Sequence, residues 1–401
     1  MDILIDHGSM RFDNLGDIAM LQVCAARLAE LQPSARLRVL THTPTGVTEH
    51  LPGVESLELR TSQLWDQLRV VLSVLGRLMP GRLAGRLEAR AALSLPSRYR
   101  QTIVDAIEGS DLYVHAGAGI LTDAFPSATG RRLFTIGSAI DSGVPTVLFS
   151  QGIGPLDVPG LQARARSVLP RVTLIGVRDM GSLDLVSGDL GVAPSRAHMT
   201  GDDALAIGYR DRPAALGQGL GVNVRRSRYA SLRSGDLVWL ADQLRQVQVR
   251  LPADQLEPIP LAIHWMDRQP TEQLLSHVHP GWEPMWHAHA VPDLIGSIGR
   301  CRLVICTSYH AAVLALAQGI PALCLYRSRY YRHKYGGLCD LFPAACRRID
   351  LGQSDDRARF VETALALLDH PEDRRAAALE STSDQIARSK RAYQLVGGRL
   401  G

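Results

Sequence analysis

One histidine, His310, occupies a position where a proton-transferring side chain could meet a bound anion. It lies in TSYHAAVLALAQGIPALCLY, Thr307 to Tyr326. Imidazole titrates near neutral pH, which suits it to acid or base work. The apolar run Leu303 to Cys306 precedes it and an alanine-rich helix former, Ala311 to Ala317, follows. Gly319 and Pro321 then end the helix before a second apolar run, Ala322 to Tyr326. This is a βαβ pattern with His310 at the strand-to-helix turn, where free backbone N–H groups and the helix dipole favour anions. A plainer reading stands beside it: Ser308 as an N-cap and His310 as a polar residue closing a helix end.

Five other segments bear the same relation to a predicted strand. FDNLGD offers Asn14, Gly16 and Asp17, and HAGAGILTD offers Gly117 and Gly119, where a missing side chain lets backbone approach a ligand. SQGIGPL carries Gln151, Gly152 and Gly154, VRDMGS carries Arg178, Asp179 and Ser182, and GVNVRR carries Arg225 and Arg226. Singly, each reads more often as a tight turn than as a ligand contact.

The elements that must position these turns alternate between strand and helix. Ile3–Ile5, a helix over about 17–31, Arg36–Thr41, Leu112–His115, Thr146–Ser150 and Leu174–Val177 form a first βαβ series. A second begins at Leu220 with GVNVRR, continues through a helix over Asp236–Val249, the apolar run IPLAIHW and a helix near Asp293–Gly299, and closes with the His310 unit. The turn formers in DRPAALGQG mark a linker. The expected division is therefore an α/β domain over 1–212, a linker at 213–219 and a second domain over 220–401, whose helical tail from Asp356 could pack back on the first.

Length and composition agree with this. A chain of 401 residues exceeds what one core usually holds, and 46% hydrophobic with only 5% aromatic residues suits helices on parallel strands. A net charge of +4 argues against a nucleic-acid binder and is compatible with an anionic substrate. Six cysteines without a CxxC pair read as core residues in a reducing compartment. With no signal peptide or spanning run, a cytoplasmic protein is expected. The segment 64–92 has an amphipathic, arginine-studded pattern; it reads first as a packed helical insertion, with peripheral association at the inner face of the membrane as the alternative. In HVHPGWEPMWHAH, prolines break the HxH pairs into a loop and no carboxylate or cysteine completes a ligand set, so no metal is expected. Trp282 and Trp286 there read first as loop packing, with sugar stacking as the alternative.

Together, the NxGD loop Asn14–Asp17, the Gly-rich turn Ala116–Asp123, Gln151–Leu156, Val177–Ser182 and His310–Pro321 follow one another as in the polysaccharide pyruvyl transferase family, which the chain resembles from about Asp13 to Leu338. The resemblance implies two Rossmann-like domains facing a central cleft, GT-B-like, without a cofactor. It implies a reaction in which phosphoenolpyruvate donates a carboxyethylidene group to a sugar of a cell-surface polysaccharide, glycolipid or lipid-linked precursor. The products are a pyruvate ketal and phosphate. Such a donor calls for cations, with Arg178, Arg225 and Lys334 as candidates, and for acid–base groups, with His310 as candidate and Asp17, Asp179 and Asp202 as its possible partners, an Asp after Arg being as ready to orient that Arg or cap a helix. Asn14, Gly16, Gly117, Gly119, Gln151, Gly152, Ser308 and Tyr309 complete the expected contacts. Many members carry an arginine two residues before the late histidine, where this chain has Ser308. The following YRSRYYRHKYGGL is longer than in relatives and reads as a solvated basic loop, with Lys334, Arg327, Arg329 or Arg332 able to restore the charge. Two rival readings are a GT-B glycosyltransferase using a nucleotide sugar and a non-catalytic glycan-assembly binding protein.

Overall fold

Strands buried on both faces need continuous apolar runs, and parallel pairing needs helical crossovers between them. Both conditions hold for the central strands of the computed structural model, which describes residues 1–8, 10–59, 97–251, 255–262, 265–282 and 290–400, while edge strands such as Glu55–Glu58 and Leu256–Pro258 are polar and partly exposed. The 64–92 segment and Trp286 lie outside the described residues. The chain divides into two compact units, one made of 1–12, 20–201 and 388–401, the other of 13–19 and 202–387.

The first unit holds a parallel sheet of β1 (Asp2–Asp6), β2 (Arg36–Thr41), β3 (Glu55–Glu58), β4 (Leu112–His115), β5 (Ala118–Leu121), β6 (Thr146–Ile153), β7 (Leu174–Val177) and β8 (Ala197–Met199). Their order is β3-β2-β1-β4-β6-β7-β8, with β5 also paired to β6. The chain winds outward in one direction from β1 and in the other from β4, which puts a topological switch point between them. Ile3, Leu4 and Ile5 of β1 are wholly buried, as are Tyr113 and Val114 of β4.

The second unit holds β9 (Gly219–Asn223), β10 (Leu256–Pro258), β11 (Cys301–Cys306), β12 (Ala322–Tyr326) and β13 (Cys346–Asp350), all parallel, in the order β10-β9-β11-β12-β13. This is the 2-1-3-4-5 order of a doubly wound fold, with its switch point between β9 and β11. Register pairs Val304 with Gly221 and Cys306 with Asn223, so the β9 and β11 ends lie side by side. The helix Tyr309–Ala317 that leaves β11 is buried at all nine residues, which its alanines permit. Gly319 ends it at φ +76°, a conformation that favours glycine.

Two expectations need correction. In IPLAIHW, Ile259–Leu261 lie outside any strand, Ala262 forms only an isolated bridge, and a helix starts at Trp265, with 263–264 outside the described residues; the strand is instead β10, Leu256–Pro258. Pro260 has no N–H to offer a ladder, and the N–H groups of Leu261 and Ala262 donate instead to the Asp267 carboxylate, at 3.1 and 3.0 Å. The basic run after Tyr326 is a helix, Arg329–Leu341, started by Ser328, whose Oγ accepts from Tyr331 N–H. Among the described residues no helix is long and apolar enough to cross a membrane.

Candidate functional site

At the switch point of the second sheet, the ends of β9 and β11 are tied together. Asn223 Oδ1 accepts from Ser308 N–H at 3.0 Å, and Thr307 Oγ1 accepts from Arg225 N–H at 2.7 Å. These bonds fix the strand-to-helix turn that carries Ser308, Tyr309 and His310. Ser308 is the N-cap residue of the helix, yet its side chain caps nothing. The buried Oγ has no hydrogen-bond partner among the described residues.

Asn14–Ala19 belongs to this unit and completes the site. Leu15 N–H donates to Leu261 O at 2.9 Å, and Asn14 forms an isolated bridge with Ala262. Asn14 Oδ1 accepts from Gly16 N–H at 3.0 Å, capping the helix Leu15–Leu31. Gly16 faces the His310 ring so closely that a β-carbon there would fall 2.3 Å from Cγ and Nδ1. Asp17 Oδ1 lies 3.9 Å from His310 Nδ1, and Asp202 Oδ2 lies 3.6 Å from Nε2. Both distances are within electrostatic reach and too long for a hydrogen bond. His310 is thus nearly buried between two carboxylates, and its Nε2 makes no hydrogen bond among the described residues.

The cations of this unit are differently placed. Arg225 Nε and Nη2 donate to Asp267 Oδ1 and Oδ2 at 2.6 and 2.9 Å, a buried bidentate pair. Burial opposes its charge, but Asp267 and then Tyr229 outweigh burial and hold the guanidinium charged. Asp267 also accepts from Asn223 Nδ2 at 3.2 Å, so one carboxylate organises Arg225, the β9 end and the 261–262 turn that receives Asn14. Sequence reading missed Asp267. Lys334 comes from the helix Arg329–Leu341; its Nζ donates to Tyr330 OH at 2.8 Å and stands 4.6 Å above the Tyr309 ring. Tyr309 packs edge-on to His310.

The remaining candidates gather in the first unit. Arg178 is buried against Gly152, where a β-carbon would meet its Nη2 at 2.3 Å, and Arg178 N–H donates to Gln151 O. Asp179 caps the helix Met180–Asp184 by accepting from Ser182 N–H at 2.8 Å, with its other oxygen 4.0 Å from Arg178 Nε. Ser182 Oγ accepts from Ile153 N–H at 2.9 Å, which joins the QGIGPL and VRDMGS segments. Gln151 Nε2 donates to the carbonyls of Phe149, Ala116 and His115, linking the end of β6 to that of β4. Gly117 makes room for Met20 Sδ, and Gly119 is half-buried in β5. Structure therefore separates the sequence candidates into two sets: Asn14, Gly16, Asp17, Arg225, Ser308, Tyr309, His310 and Lys334 in one unit, and Gly117, Gly119, Gln151, Gly152, Arg178 and Asp179 in the other.

The first sheet's switch point carries a buried polar group that sequence reading passed over. Tyr113 OH donates to Asp6 Oδ2 at 2.8 Å, and Arg132 Nη2 donates to His7 O at 2.8 Å while its Nε stands 3.4 Å from Asp6. Burial lowers His7 to about 3, Asp6 opposing only in part, and lowers His115 as well.

The family model of polysaccharide pyruvyl transferase matches residues 14–329. No curated protein matches the chain in sequence. Among solved structures, the chain is similar to UDP-GlcNAc 2-epimerase from Neisseria meningitidis bound to UDP-GlcNAc: 11% identity, 97% of this chain and 99% of that one covered, TM-score 0.59. A glycosyltransferase from Rickettsia africae gives 8%, 100%, 98% and 0.58, and a UDP-GlcNAc 2-epimerase from Methanocaldococcus jannaschii gives 11%, 92%, 93% and 0.56. At such identities the likeness establishes the fold, an α/β architecture of two Rossmann-like units of the GT-B kind.

Proposed function

Because the chain belongs to the polysaccharide pyruvyl transferase family, we propose that it transfers the carboxyethylidene group of phosphoenolpyruvate to two hydroxyls of one sugar residue, forming a pyruvate ketal. The observation that carries this reading is His310 at the second sheet's switch point, seated on Gly16 between Asp17 and Asp202.

In this reaction a proton is added to the methylene carbon of the enol, leaving oxocarbenium character at the carbon bearing phosphate. A sugar hydroxyl attacks there and loses its proton; a second hydroxyl then displaces phosphate, its proton leaving with the phosphate as hydrogen phosphate. His310 is the acid that delivers the first proton and the base that recovers one from the attacking hydroxyl. Asp17 and Asp202 orient the ring from its two nitrogens. The donor's oxyanions take the Ser308 hydroxyl, the N-terminus of the helix Tyr309–Ala317 and the Lys334 ammonium, in place of the arginine expected at the Ser308 position. With Arg225 paired to Asp267, Lys334 is assigned the larger share of charge neutralisation. The acceptor is a glycan, and no metal or cofactor enters the scheme.

The test is a thermal-shift screen followed by turnover. Phosphoenolpyruvate should raise Tm and nucleotide sugars should not; with acceptor, phosphate should be released and acceptor mass should rise by one carboxyethylidene group. His310→Ala should keep the fold and lose turnover. A shift with nucleotide sugars alone, or near-normal turnover in His310→Ala, would sink the proposal.

A further inference from the structure

Four of the six cysteines converge on one place in the second sheet. Cys324 of β12 comes within thiol–thiol reach of Cys306, Cys339 and Cys346. The Cys324 and Cys346 sulfurs are 3.7 Å apart, and those of Cys339 and Cys346 only 3.0 Å. Cys339, from the helix Arg329–Leu341, is the one cysteine of the six that is not buried. Cys306 ends β11 just before Thr307 and Cys339 shares its helix with Lys334, but no thiol of the group has a part in the proposed transfer.

We propose that Cys339 and Cys346 are a peroxide-oxidisable dithiol, in which Cys339 attacks the oxidant and Cys346 resolves the product. Geometry supplies three requirements. Cys339 is accessible, its partner is in contact, and the sulfurs need close by only about 1 Å to reach the ~2.05 Å of a disulfide. Electrostatics supplies the direction. Cys339 sits in the last turn of its helix, where the dipole opposes a thiolate, so other groups must stabilise one. The Cys324 and Cys346 thiols lie within hydrogen-bonding reach of its sulfur, and the Arg348 and Arg347 guanidiniums add positive charge; together they pull the Cys339 thiol well below its usual range. Burial pushes Cys346 the other way, so it stays a protonated donor until the first step is complete.

The reaction balances with hydrogen peroxide as oxidant. The Cys339 thiolate attacks one peroxide oxygen, the O–O bond breaks, and hydroxide leaves a sulfenic acid on Cys339. Cys346 sulfur then attacks Cys339 sulfur; the S–O bond breaks, and the departing hydroxide takes the Cys346 proton to form water. Two thiols lose two electrons, and peroxide becomes two waters.

The experiment uses the full chain, reduced, freed of reductant, treated with equimolar hydrogen peroxide, blocked with N-ethylmaleimide and cut with trypsin. Cleavage after Lys334 and Arg347 leaves both thiols on one peptide, Tyr335 to Arg347. The expected product is that peptide unlabelled and lighter by two hydrogens, restored by dithiothreitol. Cys346→Ser should instead trap Cys339 as a sulfenic acid that dimedone captures. In the folded protein at mildly acid pH, iodoacetamide should label Cys339 at least about tenfold faster than any other cysteine. Cys339→Ser exchanges one atom at a partly exposed position, should keep its circular dichroism, and should leave Cys346 unoxidised. Retention of both thiols in the folded native protein, prior oxidation of Cys324 or Cys306, or continued oxidation of Cys346 in Cys339→Ser would each overturn the assignment.

Discussion

Replacing Gly16 by alanine tests the seat of His310 with a single methyl group. The added β-carbon would lie 2.3 Å from His310 Cγ and Nδ1 and 2.4 Å from its Cβ, against 3.4–4 Å for ordinary contact. One side must therefore retreat by about 1 Å, a displacement that typically costs ~10²-fold in turnover when it falls on a catalytic group. Neither side has an easy path. Asn14 Oδ1 and Leu261 O hold the Asn14–Leu15 turn, while His310 leads a helix buried at every residue. Overpacking of this kind should also cost about 1–3 kcal/mol of stability. The assay is phosphate release from phosphoenolpyruvate with the acceptor glycan, well below the variant's Tm. Gly235→Ala, where a β-carbon meets nothing within 4 Å, is the control and should be silent. A Gly16→Ala enzyme that is folded and within a few-fold of native turnover would show that His310 placement does not govern the chemistry.

Three further outcomes follow from particular contacts. Asp267→Asn leaves Arg225 a buried, unbalanced cation and should lower unfolding free energy by about 3–5 kcal/mol in urea; a loss under 1 kcal/mol would deny Asp267 its organising role. Ser182→Ala removes the acceptor for Ile153 N–H and should cost about 1–3 kcal/mol while Asp179 still caps its helix; an unchanged denaturation midpoint would count against that link. His7 takes up a proton near 6.5 when unfolded and only near about 3 when folded, so its stabilisation is present above 6.5 and is lost as pH falls toward 3. Between pH 7 and 5 this amounts to about 2 kcal/mol. His7→Gln should therefore lose less stability than native protein over that interval, and equal losses would contradict the linkage.

What sequence made legible was whatever the backbone decides locally. Strands β2, β4, β7 and β12 fall where their apolar runs place them, Asn14 and Asp179 stand at helix caps, and Gly16 and Gly152 stand where a packed His310 or Arg178 leaves no room for a β-carbon. The helix Arg329–Leu341 was hidden by its charges. Tyr330, Tyr331, Lys334, Tyr335 and Leu338 are buried and recur with helical spacing, but counting Arg329, Arg332 and Lys334 as solvated turned the same run into a loop. Ser328 as an N-cap and the Tyr331–Tyr335 pair were the available signals. Asp267 offered none. Its partner Arg225 is 42 residues away, and a carboxylate inside a helix normally reads as solvent-facing. Only the fold brings the helix Trp265–Val278 beside the end of β9, and only then does an arginine expected to meet substrate acquire an internal counter-ion. Glycines and caps announce themselves because their constraint is in the adjoining backbone; a buried charge pair does not, because its constraint is the tertiary structure. In the proposed reaction the consequence is chemical: with Arg225 held by Asp267, the donor's charge is assigned chiefly to Lys334, on the helix that was read as a loop.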